Sequence, residues 1–164
     1  MVGVTTEIVE TERLRLVPLV AGDAEALRAL TDDPAIIAAI SFLRAPFTVD
    51  DARRLIAANE GGRDLFRGIR RRSDDALIGV IGSHRQDGGG IEIGYWIGTP
   101  FQRQGYAFEA ARAVIDGLRS AAPTVRIVAE CRRDNRTSWR ILERLGFRPT
   151  GAAGARPGRL ALEL

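Results

Sequence analysis

The residues whose types and spacing most clearly carry chemistry are Gln102, Arg103, Gln104, Gly105, Tyr106 and Ala107. They follow an apolar, strand-like run and open an amphipathic, helix-like one. A turn in that place aligns several backbone N–H groups. The helix behind it adds unpaired donors and the positive end of its dipole, so the whole is built to hold a pyrophosphate. Gly105 is the geometric key, because a residue without Cβ accepts a positive φ and lets phosphate oxygens approach the main chain. The competing reading is an ordinary strand-to-helix loop in which Gly105 only makes the bend.

Two flanking blocks and the start of the chain bear on that choice. Glu92, Ile93, Gly94, Tyr95, Trp96, Ile97, Gly98, Thr99, Pro100 and Phe101 lead into the turn, and residues 134–148 read DNRTSWRILERLGFR further on. The turn resembles the acetyl-CoA pyrophosphate motif of the GNAT N-acetyltransferases, Gln/Arg-x-x-Gly-x-Gly/Ala. Residues 135–147 are similar to that superfamily's next block, Asn-x-x-Ser followed by Leu-Glu-Arg-Leu-Gly-Phe. The opening run TERLRLVPL, residues 11–19, resembles the start of the RimJ/RimL branch, whose named members acetylate N-termini of ribosomal proteins. The resemblance spans residues 11–164.

Two positions depart from the motif. Arg103 stands where the family often has Gly or another small residue, and Phe108 where Thr or another small residue is common. Neither change removes a backbone donor.

The resemblance implies a fold, a cosubstrate and a mechanism. The fold class is α/β (α+β), a GNAT-like mixed sheet splayed at its centre and flanked by helices, with acetyl-CoA in the V-shaped gap. The reaction implied is direct attack of an acceptor amine on the acetyl thioester in a ternary complex. That demands an unprotonated amine, oxyanion stabilisation and a proton for the departing thiolate.

Glu92 is the choice for base, directly or through water, as the only carboxylate between Asp87 and Glu109; a solvent-facing strand Glu is the alternative. The backbone N–H of Ile97 aligns with the family's pantetheine-binding strand residue and would serve the oxyanion. Asn135 would contact the pantetheine arm and Ser138 relay a proton to sulfur, where many relatives use Tyr. As plain structure, Asn135 reads as a helix N-cap and Ser138 as a first-turn residue. Tyr106 points to helix packing or the nucleotide, and Trp139 reads as core. Tyr95 and Trp96 alternate on one strand, so one faces the core and the other the cleft. Arg132, Arg133 and Arg136 are candidates for the CoA phosphates or a solvated cluster.

Several elements must position these groups. Alternation predicts a strand over residues 10–19, ended by Pro18. Helices are expected over 24–31 after Asp23, from Pro34 after Asp33, and from Thr48 to about Gly61–Gly62, with a loop at 41–47 between the last two. Residues 64–71, 76–82 and 91–97 read as an antiparallel meander with turns at Ser73–Asp75 and Gly88–Gly90. A helix over 105–118, a strand over 124–130, a helix over 135–145 stopped by Gly146 and a strand pair at 147–151 and 159–164 complete the chain. Residues 151–155 read as a flexible hairpin loop.

Composition sets the outer bounds. A length of 164 residues with 45% apolar content fits one domain with a full core. No apolar run approaches the roughly 20 residues of a membrane span, and the start lacks a basic region followed by an apolar one, so a soluble cytoplasmic protein is expected. The single Cys131 excludes an internal disulfide and reads as a partly buried residue at a strand end; His84, the only histidine, is remote from it in sequence.

All 24 basic residues are arginine, which genome base composition explains, and the net charge of +3 favours anionic ligands. A nucleic-acid surface is the rival, and the scatter of the arginines argues against it. The expected partners are acetyl-CoA and an amine acceptor, a peptide N-terminus or a small molecule; a homodimer stays open. A non-catalytic acyl-CoA-binding regulatory module is the alternative function. The acceptor would be chosen by residues 41–47, the neighbouring helices and the 88–90 turn.

Overall fold

The structure, a computed structural model, describes residues 7–164. Its centre is an eight-stranded sheet in the order β1-β2-β3-β4-β5-β6-β8-β7. The strands are β1 (Val9–Glu10), β2 (Leu14–Pro18), β3 (Asp64–Arg71), β4 (Leu77–Arg85), β5 (Gly90–Ile97), β6 (Arg126–Cys131), β7 (Arg148–Ala153) and β8 (Leu160–Glu163). Three helices, α1 (Ala24–Thr31), α2 (Pro34–Ala39) and α3 (Val49–Ala57), lie between β2 and β3. α4 (Tyr106–Ala121) joins β5 to β6, and α5 (Arg136–Leu145) joins β6 to β7.

Local chemistry explains the boundaries. Asp33 accepts from the Ala35 N–H and Pro34 takes the first position of α2. Thr48 and Asp51 close a reciprocal capping box on α3. A 3-10 turn over Ala58–Gly61 prolongs α3 to Gly62, whose φ of +67° ends it where the glycine pair predicts. Gly146 stops α5 in the same way.

The sheet separates two apolar layers. Leu14, Leu16, Ile81, Ile91, Ile93, Ile97, Ile127 and Ala129 pack under α4 and α5 with Phe147 and Leu162. On the other face Leu27, Ile36, Phe47, Leu55, Phe66, Val80 and Trp96 form the layer beneath α1–α3. Among the described residues no helix is long and apolar enough to cross a membrane.

The structure departs from the pattern reading in places where distant groups intervene. The strand expected over 10–19 is broken at Thr11–Arg13. There the Thr11 hydroxyl accepts from Leu14 N–H and donates to Glu109 at 2.6 Å, while Arg13 binds the same carboxylate, so a residue of α4 turns the chain. β4 runs on to Arg85, and α4 to Ala121. The expected loop at 151–155 is half strand, since β7 reaches Ala153. The remainder is pinned, because Glu130 accepts from Ala155 N–H at 2.5 Å and Arg156 N–H at 3.3 Å.

The feature that builds a site is the β5–β6 contact, the only parallel pairing among the described residues, which holds only from Gly90 to Glu92. In an antiparallel ladder the bonded pairs alternate. Gln86 N–H donates to Gly90 and Gly98 N–H to Ile78, so β4 satisfies the even-numbered residues of β5. The peptide groups of Tyr95 and Ile97 therefore turn to the opposite edge, beyond the last β6 pair. The sheet opens there into a V.

Candidate functional site

The cradle sits at the open end of that V. After β5 a 3-10 turn, Thr99–Phe101, leads to Gln102, whose side-chain amide donates to the Ile97 carbonyl at 2.9 Å and ties the turn to the strand. Arg103 and Gly105 both adopt left-handed backbone, φ +63° and +83°. Arg103 thus occupies a conformation that glycine takes at no steric cost. Above Gly105 a Cβ would meet only Arg13 Nη2, at 3.5 Å. Gly105 is the N-cap of α4 and offers no side-chain cap, so the first N–H groups of a 16-residue helix are left to a ligand.

The back of the cradle is fastened through Arg13. Its guanidinium donates to the Gln104 carbonyl at 3.0 Å, pairs with Glu109 at 2.6 Å and lies 4.6 Å above the Tyr106 ring. Burial pushes the Glu109 carboxyl up, but hydrogen bonds from Thr11, the Arg13 N–H and the Arg13 guanidinium outweigh it, so its pKa lies below the ordinary carboxylate value. Tyr106 is buried in the core, as helix packing requires. Ala107 packs partly buried behind it. The guanidinium groups of Arg144 and Arg112 lie 4.1 Å and 5.8 Å from the Phe108 ring, and the Arg144 contact couples α5 to α4.

On the α4/α5 face of the gap three polar groups meet. Ser138 Oγ lies 3.2 Å from the Tyr95 hydroxyl. Burial holds the Tyr95 phenol well above its usual pKa, with the Ser138 hydrogen bond acting against it. Cys131 ends β6 there, 2% exposed, its thiol pushed up by burial. Asn135 caps α5, its Oδ1 accepting from Ser138 N–H at 3.2 Å; that bond leaves its NH₂ for another acceptor. The cap and the pantetheine role are compatible.

On the opposite face Glu92 is 7% exposed, which rules out a solvent-facing strand residue. Its Oε1 lies 2.5 Å from Arg156 Nη1 and its Oε2 accepts from Gln86 at 3.0 Å. Arg156 Nη1 also reaches Glu130 at 3.1 Å, so one guanidinium from the β7–β8 loop bridges carboxylates of β5 and β6. Gly94, between Glu92 and Trp96, has nothing within 4 Å of where a Cβ would stand. Beside this opening, Phe42, 48% exposed, sets its ring edge-on to Phe66 at 6.2 Å and Trp96 at 6.1 Å. Trp96 is the core partner and Tyr95 the cleft partner of that pair.

Further out, Arg133, Arg136, Trp139, Arg140 and Glu143 line a surface concavity on α5. Trp139 is therefore partly exposed rather than plain core, and its indole N–H donates to Glu143 at 3.0 Å. Arg132 is taken by Asp134 at 2.6 Å. Missed by sequence reasoning were Arg156, Gln86 and the partnership of His84 with Asp64, whose carboxylate lies 2.8 Å from the imidazole. No local pattern points to that pair, because Asp64 and His84 meet only through the β3–β4 register.

This geometry agrees with the relationships of the chain. The acetyltransferase (GNAT) domain family matches residues 13–148, and the protein belongs to that family. An uncharacterized N-acetyltransferase of Bacillus subtilis, YnaD, is 29% identical over 144 residues, covering 87% of this chain and 84% of its own. Among solved structures, a GNAT-family acetyltransferase from Bacillus anthracis superposes with a TM-score of 0.84 at 25% identity, over 96% of this chain and 98% of its own. RimJ of Mycobacterium smegmatis, solved in complex with CoA-disulfide, gives 0.82 at 22% identity over 100% and 90%. The protein is an acetyltransferase of the GNAT family, and acetyl-CoA is its cosubstrate. The left-handed cradle and the opened strand edge fit that molecule.

Proposed function

We infer that the protein transfers the acetyl group of acetyl-CoA to a primary amine, the α-amine of a peptide or protein or a small amine, by direct attack in a ternary complex. The observation that carries this reading is the end of β5–β6 pairing at Glu92, with Tyr95 and Ile97 turned into the gap and the cradle at its mouth. The two faces of the gap then divide the work.

Backbone donors of residues 102–107 hold the pyrophosphate, with Arg133, Arg136 and Arg140 placed for the charged nucleotide end. The Asn135 amide binds the pantetheine arm, and the Ile97 N–H receives the oxyanion. Ser138, hydrogen-bonded to Tyr95, returns a proton to sulfur. The amine enters on the other face, over Gly94, between the aromatic wall of Phe42, Phe66 and Trp96 and the acidic group formed by Glu92 and Glu130. Glu92 attracts the ammonium and takes part in its deprotonation, directly or through water. The resemblance of residues 11–19 to the RimJ/RimL branch supports a peptide N-terminus as acceptor.

The test is CoA release across a panel of amines. Turnover with at least one primary amine supports the reading. Acetyl-CoA binding without release for any amine turns it into the non-catalytic module, and polyanion binding with a steep salt dependence favours a nucleic-acid partner.

A further inference from the structure

His84 is the only histidine in the chain, and the sheet register sets it between two carboxylates. Its cross-strand partner on β3 is Asp64 and on β5 is Glu92. Directly opposed residues project to the same face, so Asp64, His84 and Glu92 form a row across three strands. That face also carries Phe66 and Trp96, the walls of the acceptor opening.

The imidazole is held in one orientation. His84 Nδ1 lies 2.8 Å from Asp64 Oδ1, and the Phe66 ring packs edge-on with centroids 4.9 Å apart. A carboxylate on Nδ1 keeps the proton of the neutral ring there and leaves Nε2 as an acceptor. Nε2 lies over Gly82, where a Cβ would collide with it, and Gly94, opposite Gly82, opens to free space. The Nε2 lone pair thus borders the same opening as Glu92. Glu92 has one oxygen on Arg156 and the other on Gln86, so its charge is already engaged by a cation and an amide.

We propose that His84, positioned by Asp64, accepts the proton of the acceptor amine, while Glu92 draws the ammonium into place. This rests on the acetyl-transfer reading above. An ammonium N–H gives its proton to Nε2, directly or across one water. The freed lone pair attacks the thioester carbonyl carbon, and the C–S bond breaks with its electron pair going to sulfur. The second proton lost as the amide forms ends on that thiolate. His84 then returns its proton to solvent.

His84→Gln and Asp64→Asn test it, measured beside Glu92→Gln because Asp64, Glu92 and, behind it, Arg156 and Glu130 are the charged groups facing the ring. His84→Gln is expected to lower kcat/KM roughly 10²-fold near neutral pH with an unchanged thermal shift by acetyl-CoA, and the loss should narrow as pH approaches the amine's own pKa. In His84→Gln the acid limb of the pH profile should move to follow the amine's own pKa, whereas in Glu92→Gln it should keep its wild-type position. Asp64→Asn should cost less, and it carries the test should His84→Gln not fold. Because the histidine is unique, ring ¹⁵N signals report it without assignment: bare Nε2 in the wild type, a mixture of tautomers in Asp64→Asn. Activity of His84→Gln within threefold of wild type across the pH range, or a bare Nδ1, overturns the role while leaving acetyl transfer standing. No CoA release by the wild type with any amine removes the acetyl-transfer reading and this role together.

Discussion

The hydroxyls of Tyr95 and Ser138 lie 3.2 Å apart across the β5–β6 gap, one carried by a strand and the other by the first turn of α5. Burial keeps the phenol protonated far into the alkaline range, so the pair is a donor and not a base. On the face of the sheet opposite Glu92, it is the pair proposed above to return a proton to the departing thiolate.

The first prediction concerns this pair. A thiolate leaves tolerably without an acid, so Ser138→Ala and Tyr95→Phe should each lower kcat by less than about tenfold, less than Glu92→Gln. The double variant should cost no more than the worse single one, because both remove one hydrogen bond. Steady-state kinetics of the four proteins decide it; additive losses would mean separate roles.

What was legible beforehand follows from the range of the interactions. The cradle, the Asn135 cap and the glycine stops of α3 and α5 are decided within a few residues, and the sequence displays them. Alternation along β5 shows that Glu92 and Trp96 share a face, but not what covers it. The cover is Arg156, 64 residues away, on a loop held by Glu130. His84 meets Asp64 only through the β3–β4 register, and the break at Thr11–Arg13 depends on Glu109 of α4. Side chains that converge from separate strands leave no local pattern.

Acetyl-CoA should stabilise the fold. A ligand bound only by the native state adds RT ln(1 + [L]/Kd), about 2.7 kcal/mol at a hundredfold excess over Kd. Gly105→Val should abolish the thermal shift, since its φ of +83° suits no β-branched residue and its Cβ substituents fill the approach. Phe108→Thr should lower the melting temperature through loss of the Arg144 and Arg112 contacts to the ring while retaining the shift. A melt unmoved by saturating acetyl-CoA in the wild type would contradict the cradle.

The Glu109 anchor makes the cradle acid-sensitive. Its folded pKa is depressed, so its stabilisation is present above the ordinary carboxylate pKa and is lost as pH falls through the lower, folded value. The wild type should lose stability below about pH 4, and Glu109→Gln should already be destabilised by about 1–3 kcal/mol at neutral pH with a flatter acid limb. Melting temperature against pH for both proteins checks the sign.

Glu92 and Arg156 should separate in activity and stability. Glu92→Gln is expected to lose roughly 10²-fold in kcat near neutral pH at nearly constant acetyl-CoA affinity. Arg156→Met leaves the Glu92 and Glu130 carboxylates buried without their shared cation. Breaking such a pair costs about 3–5 kcal/mol when fully buried, and the one-third exposure of Arg156 puts the expectation at or below the low end. Adding Glu92→Gln to Arg156→Met should recover part of that loss in a denaturant melt.

The acceptor preference follows from the proton the site has to remove. An α-amine has a reference pKa near 8 and a lysine side chain about 10.4, so at pH 7.5 the α-amine presents the larger neutral fraction by about two orders of magnitude. Among the described residues, Glu92, bonded to Arg156 and Gln86, and the His84–Asp64 pair border the Gly94 opening. The neutral fraction of the amine itself therefore favours the α-amine, whichever of these groups takes the proton. At equal concentration and pH 7.5, peptide α-amines should therefore be acetylated ahead of lysine ε-amines, with the gap closing above pH 9. Mass spectrometry of a peptide carrying one of each, after limited turnover, reads the ratio directly, and a preference for the ε-amine would overturn the α-amine as the acceptor class.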